Sequence, residues 1–102
     1  MNTHKDARRI LISVPHKEGE IKMIIAQKNC SLGNHYHLIK TERFTLMEGG
    51  GTIELDGEKG MIYPGVTFNV KPGTRHAFTL KKDSILFCIC SHPYDPTDDY
   101  EY

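Results

Sequence analysis

The feature that most constrains this fold is the spacing of its turn formers. Gly-Gly falls at Gly49 and Gly50, Asp-Gly at Asp56 and Gly57, and Pro-Gly at Pro64 and again at Pro72, while Lys-Lys-Asp precedes Ile85. Between these breaks only short runs fit, and they have strand character: RRILISV from Arg8, EIKMIIAQ from Glu20, RFTLM from Arg43, TIEL from Thr52, VTFNV from Val66, HAFTL from His76 and ILFCIC from Ile85. His35–Leu38 and Lys59–Tyr63 add two more. Strand-like runs recurring about every ten residues predict an all-β sandwich or barrel. Asp56-Gly57 between two short apolar runs reads as a hairpin turn. No stretch sustains a 3.6-residue apolar period, so no helix is predicted.

At 102 residues the chain is read as a single domain, 1–102, with its core in about 20–91 and an irregular tail, 92–102, rich in Pro, Asp and Tyr. The tail tyrosines have the character to dock on the barrel or on a neighbour. Thirteen cations and thirteen anions are mixed along the chain. Nucleic-acid binding draws on a concentrated basic face, and none is predicted. No apolar run approaches the roughly 20 residues of a membrane span, and the apolar stretch after the basic N-terminus is too short for a secretion signal. Three cysteines, an odd number, argue against a disulfide framework. The expected setting is cytoplasmic, with reduced thiols. Cys88 and Cys90 share one strand face as small core residues; the alternative is a Cys88/Cys90 metal site, although their spacing lacks the intervening pair of a zinc knuckle.

Chemistry concentrates in GNHYHLIKTERFTLMEGGG, Gly33–Gly51. Residues i and i+2 of a strand point the same way, so His35 and His37 project together. Glu42, Phe44 and Leu46 share a face of the next strand, which places Glu42 at the polar mouth of an apolar interior. A buried carboxylate beside imidazoles needs compensation, and a divalent metal supplies it. His76, with Phe78 and Leu80 on its own face, points inward as well.

These residues resemble the cupins, small barrels built as a double-stranded β-helix, or jelly roll. His35, His37, Glu42 and Gly49 follow the cupin motif G-x5-H-x-H-x3-4-E-x6-G, except that Gly33 stands two residues before His35 and Asn29 holds the place of the leading glycine. Gly65, Gly73 and His76 follow G-x5-P-x-G-x2-H-x3-N, with Lys71 for the proline and Leu80 for the asparagine. The resemblance covers roughly residues 20–91. It implies that His35, His37, Glu42 and His76 bind one divalent transition metal, among zinc, manganese, iron, nickel, cobalt and copper. GNHYH with KTERFTLMEGGGTIEL is further similar to cupin domains of surface-polysaccharide and nucleotide-sugar biosynthesis.

The plainer alternatives are solvated strand histidines, a Glu42 paired with Lys40 or Arg75, and a loop-capping His76. A metal-free cupin would use a histidine for acid–base work on a sugar ring. His4, His16 and His92 read as surface residues, Lys40 as a solvated lysine, and Arg43 and Arg75 as outward-pointing. Thr67 and Asn69 are candidates for the cavity wall. The functional expectation is a small polar ligand, a sugar or sugar derivative, handled by isomerase- or epimerase-like chemistry. The alternatives are a non-catalytic binding or sensor module and an iron-dependent dioxygenase. No dedicated base stands out, so the catalytic and substrate-binding residues are unassigned. Arg8–Val14 has the apolar β character to extend a neighbour's sheet, which predicts a homodimer.

Overall fold

A computed structural model describes residues 1–101. Eleven strands follow one another: β1 Asn2–Lys5, β2 Arg9–His16, β3 Gly19–Ala26, β4 Cys30–Tyr36, β5 Glu42–Glu48, β6 Gly51–Leu55, β7 Glu58–Ile62, β8 Thr67–Val70, β9 His76–Leu80, β10 Ser84–Cys90 and β11 Tyr100–Glu101. They form two antiparallel sheets, ordered β1-β2-β3-β10-β5-β8 and β11-β4-β9-β6-β7. This is the all-β jelly roll that the cupin resemblance implies. Asp56 and Gly57, both at positive φ, make the β6–β7 turn.

Strand register stacks the inward side chains of the larger sheet in rows. Glu20, Cys90 and Glu42 lie side by side across β3, β10 and β5. The next row is Ser13, Lys22, Cys88, Phe44 and Phe68, and below it come Leu11, Ile24, Leu86 and Leu46. Facing them, β9 presents His76, Phe78 and Leu80, with Leu32 and Ile53 flanking Phe78. One end of the interior is therefore polar and the other is a packed apolar core. Leu46, Leu80 and Leu86 are wholly buried there, and Phe44, Phe68 and Phe78 meet ring to ring with centroids 5.0–5.7 Å apart.

Several expectations need correction. β4 starts at Cys30 and stops at Tyr36, so His37 lies just past the strand rather than within it. The inward residues of β8 are Phe68 and Val70, while Thr67 and Asn69 are exposed on the outer face. Thr67 meets Thr45 there, Oγ1 to Oγ1, at 3.0 Å. β2 pairs within its own chain, between β1 and β3, so the edge open to a neighbour belongs to β1. The tail is not wholly irregular: Asp95 caps a 3-10 turn at Pro96–Asp98, and β11 then pairs with β4. Tyr100 stacks on Tyr36 at 5.2 Å between ring centroids, so a tail tyrosine does dock on the barrel.

Candidate metal centre

Gly33 and Asn34 both take positive φ and break the β4–β9 register with a bulge, after which His35 lies opposite His76. A Cβ on Gly33 would fall 2.8 Å from the His76 carbonyl oxygen, so glycine is required by both backbone and space. Gly33, out of place in the sequence motif, is what brings two of the histidines together.

Past the bulge the chain turns through Leu38–Thr41, a loop folded around Asp98. The buried Asp98 carboxylate accepts from the backbone N–H groups of Leu38 at 2.8 Å, Ile39 at 3.2 Å and Lys40 at 3.4 Å. Gly73 N–H donates to the His37 carbonyl, tying the two histidine-bearing loops together. Glu42 then opens β5 with its side chain inward, and His76 opens β9.

The four expected residues converge. One donor atom from each of His35, His37, Glu42 and His76 lies within 4.8 Å of all the others. Glu42 Oε1 stands 3.1 Å from His37 Nε2 and 3.5 Å from His76 Nε2. Metal bonds of about 2.0–2.2 Å put neighbouring donors roughly 3.0–3.5 Å apart, so these separations suit one shared ion. Two of the imidazoles are also hydrogen-bonded from behind, and the third has a carboxylate close by. His37 Nδ1 donates to the Asp98 carbonyl at 2.6 Å, and His76 Nδ1 donates to the Thr74 carbonyl at 3.3 Å. His35 Nδ1 stands 3.3 Å from Asp99 Oδ1. Outer partners of this kind fix the ring and leave Nε2 as the free donor.

Electrostatics favour a cation here. Burial opposes the Glu42 carboxylate, but His37, Lys22 and Lys40 outweigh it and hold its pKa well below the usual carboxylate range. Burial first, then His76, pushes His35 down to about 4, and burial also lowers His76. Both are therefore neutral imidazoles near pH 7, the form that ligates metal. His37 is raised: burial works against its charged form, and Glu42 and the Asp98 carbonyl prevail. His37 Nε2 and Glu42 Oε1 are buried and lack a well-aligned hydrogen bond among the described residues. A buried nitrogen and a carboxylate oxygen face to face need a proton or a metal ion between them. The donor set fits a divalent transition metal.

The site opens into a cavity of about 620 Å³ lined by Arg9, Glu20, Lys22, Lys40 and Phe78, among others. Lys40, expected in solvent, is buried because Asp98 curls its loop inward. Glu42 pairs with Lys22, Nζ to Oε2, at 3.3 Å, and the charge of Lys40 acts on it from farther off. Arg43 and Arg75 are exposed, as alternation required. His4 and His92 are exposed and His16 is half-buried; His4 lines the cavity rim.

Sequence reasoning missed Glu20, Lys22, Asp98 and Asp99. Glu20 and Lys22 alternate with the outward Ile21 and Met23 on β3, so period two was a usable signal. Glu20 is buried, lines the cavity and keeps Oε1 without a hydrogen-bond partner among the described residues. Asp98 carried only a turn signal, Asp95-Pro96, and nothing local shows which loop that turn reaches.

No curated protein matches the chain. Among solved structures, CapF from Staphylococcus aureus, a capsular polysaccharide assembling protein, superimposes with a TM-score of 0.84 at 21% identity. The match covers 98% of this chain but only 31% of CapF. KdgF from Halomonas sp. gives 0.81 at 20% identity, over 95% of this chain and 91% of its own. Streptomyces PAC13 with uridine gives 0.79 at 10% identity, over 99% and 83%. These neighbours share the cupin fold. The sequence model of the polysaccharide biosynthesis C-terminal domain matches residues 4–74, a span that holds His35, His37 and Glu42 and stops two residues short of His76. The chain belongs to the polysaccharide biosynthesis C-terminal domain family and has the cupin fold.

Proposed function

We propose that this cupin binds one divalent transition metal through His35, His37, Glu42 and His76 and takes a small polar molecule, a sugar or sugar derivative, into the cavity above it. The observation that carries the reading is the convergence of four donors, with His37 and His76 hydrogen-bonded from behind, at the wall of a ligand-sized cavity. Family membership, the printed description of CapF and the uridine with PAC13 support a sugar or nucleotide-linked ligand. A bound metal would supply Lewis acidity toward a ligand oxygen. The chain's own residues do the rest. Lys22 holds Glu42 ionised, and Asp98 and Asp99 orient His37 and His35. Lys40 brings positive charge to the cavity, suited to an acidic or phosphorylated ligand. Glu20 is the group placed to exchange a proton with that ligand, the role the sequence left unassigned.

Elemental analysis of purified protein, beside a His37→Ala/His76→Ala variant, tests the site. The expected result is near one equivalent of a transition metal, lost in the variant. No metal in either after reconstitution would sink the four-donor reading and leave metal-free acid–base chemistry or simple binding. Turnover separates an enzyme from a sensor module: a nucleotide sugar that binds but is never converted supports the sensor. Consumption of dioxygen with iron(II) would support the dioxygenase alternative instead.

The reading includes a homodimer in the cytoplasm. The outer face of β2, β3 and β10 supports it. Register aligns Ile10, Ile25 and Ile85, then Ile12, Met23 and Phe87, then Val14, Ile21 and Ile89, nine apolar residues with no charge among them. Val14, Ile25, Phe87 and Ile89 are exposed. Flat apolar sheet faces stack on their own kind about 10 Å apart, which suits a second copy. Light scattering reports the mass: Phe87→Glu should convert a dimer to an 11.6 kDa monomer, and a monomeric wild type ends the claim.

A further inference from the structure

The two oxygens of Glu42 face different company. Oε1 turns to His37 and His76. Oε2 turns to Lys22 Nζ and to a pair of thiols, Cys88 Sγ at 3.6 Å and Cys90 Sγ at 3.9 Å. The thiols are 3.6 Å from each other. Strand alternation accounts for the burial of Cys88 and Cys90 on one face of β10. Register then sets Cys90 directly beside Glu42, so β5 and β10 deliver two thiols and a carboxylate oxygen to one point.

The triangle has the dimensions of a coordination shell. With metal–sulfur bonds of about 2.3 Å and metal–oxygen bonds of about 2.1 Å, a tetrahedral ion holds two sulfurs about 3.8 Å apart and a sulfur and an oxygen about 3.6 Å apart. The three observed edges lie within a few tenths of an ångström of those values. Donor chemistry agrees, because two sulfurs and one carboxylate oxygen select thiophilic d10 ions over magnesium or calcium. We propose that Cys88, Cys90 and Glu42 Oε2 form a second, sulfur-rich site for a thiophilic ion such as zinc or cadmium, sharing Glu42 with the histidine site.

The site has a built-in competitor. Lys22 Nζ already neutralises Oε2, so an ion must displace it. Both sulfurs ligate an ion as thiolates. Loading therefore releases protons and is weaker in acid. The sulfur site would fill at metal concentrations above those that fill the histidine site.

The proposal rests on the preceding reading only through the shared Glu42, and the two can fail separately. Cadmium added to the reduced full chain in a Cys30→Ala background is followed by the ultraviolet thiolate-to-metal charge-transfer band and by bound-metal stoichiometry. Two equivalents are expected, one of them bringing the band. Cys88→Ser and Cys90→Ser should each abolish the band and lose one equivalent. His37→Ala/His76→Ala should keep the band and lose the other equivalent. Cadmium K-edge absorption on the Cys30→Ala protein counts sulfur neighbours without touching the pair, and two are expected. No band and no sulfur neighbour in folded protein would overturn the sulfur site and leave the histidine site standing. A band that survives both serine variants would overturn it equally.

Discussion

The two ends of the barrel interior are built on the same strands and do opposite work. On β5, β9 and β10 the inward positions run Glu42-Phe44-Leu46, His76-Phe78-Leu80 and Cys90-Cys88-Leu86. Two steps along each strand carry the chain from ligand chemistry to dry core. The apolar end fixes where the backbone lies, and the polar end inherits that precision, because a side chain four residues along the same strand from a wholly buried leucine has little freedom to shift. The polar end also carries a cost that the apolar end does not. Its buried Glu42, His37 and His76 have to be matched with charge or hydrogen bonds, and Lys22, Asp98 and Thr74 supply them.

The sharpest way to separate the ends is to damage each alone. Leu86→Ala, in the apolar row, should cost about 2–5 kcal/mol of stability, read as a lower urea midpoint. Metal content of the folded fraction should stay unchanged. If metal falls in step with stability, the two ends are one cooperative unit and the division is wrong. Damage to the polar end should run the other way. Asp98→Ala keeps the backbone carbonyl that His37 Nδ1 donates to but removes the carboxylate that anchors the Leu38–Thr41 loop, and loosening the support of a ligating histidine should weaken metal binding about 10-fold. Competition against a chromogenic chelator measures this directly. An affinity within twofold of wild type would remove Asp98 from the site.

How much of this was legible in the sequence follows the same division. Strands of the apolar end were readable because alternation and turn chemistry are local: β9 runs His76–Leu80, the stretch its pattern picked out, and β5, β6, β7 and β10 differ from their apolar runs by a residue or so. The four candidate donors were readable because their spacing is local too. What was not readable depends on register between distant strands. Alternation on β3 gives Glu20 its inward direction, but its place near Glu42 emerges only when β3 is laid beside β10 and Cys90 falls between the two. The Lys22–Glu42 pair spans the same three strands. Lys40 and Asp98 lie 58 residues apart, and only their contact explains why a lysine after a polar loop is buried. Asn34 hid a bulge: its φ of 62° is one that asparagine tolerates, and simple alternation for His35 and His37 reached the right direction without the feature that produces it.

A milder probe is pH. His35, held at about 4, and His76, also lowered, bind protons less readily when folded than in the unfolded chain near 6.5. Their contribution to stability is full above 6.5 and is lost on acidification, for His35 as pH falls toward 4. His37 is raised, so its contribution is full below 6.5 and fades as pH climbs. Two groups against one predict that chelator-stripped protein has a lower urea midpoint at pH 5 than at pH 7. His37→Ala, with the opposing group gone, should steepen that decline. A midpoint that rises on acidification would mean that the His37–Glu42 pair governs the polar end.

The smallest effect belongs to the outer face, where neither division applies. Thr45 and Thr67 share a hydroxyl–hydroxyl contact at 3.0 Å with Thr67 exposed to water. Water replaces such a bond readily, so Thr67→Val should change stability by no more than about 0.5 kcal/mol and leave metal binding untouched. Its value is as a control on β8. Phe68 is the inward neighbour, stacked on Phe44 at 5.4 Å, and Phe68→Ala on the same strand should cost about 3–5 kcal/mol if the inside of β8 is core. Equal effects from the two variants would mean that the strand is turned over, with Thr67 and Asn69 toward the cavity and the substrate-contacting set redrawn around them.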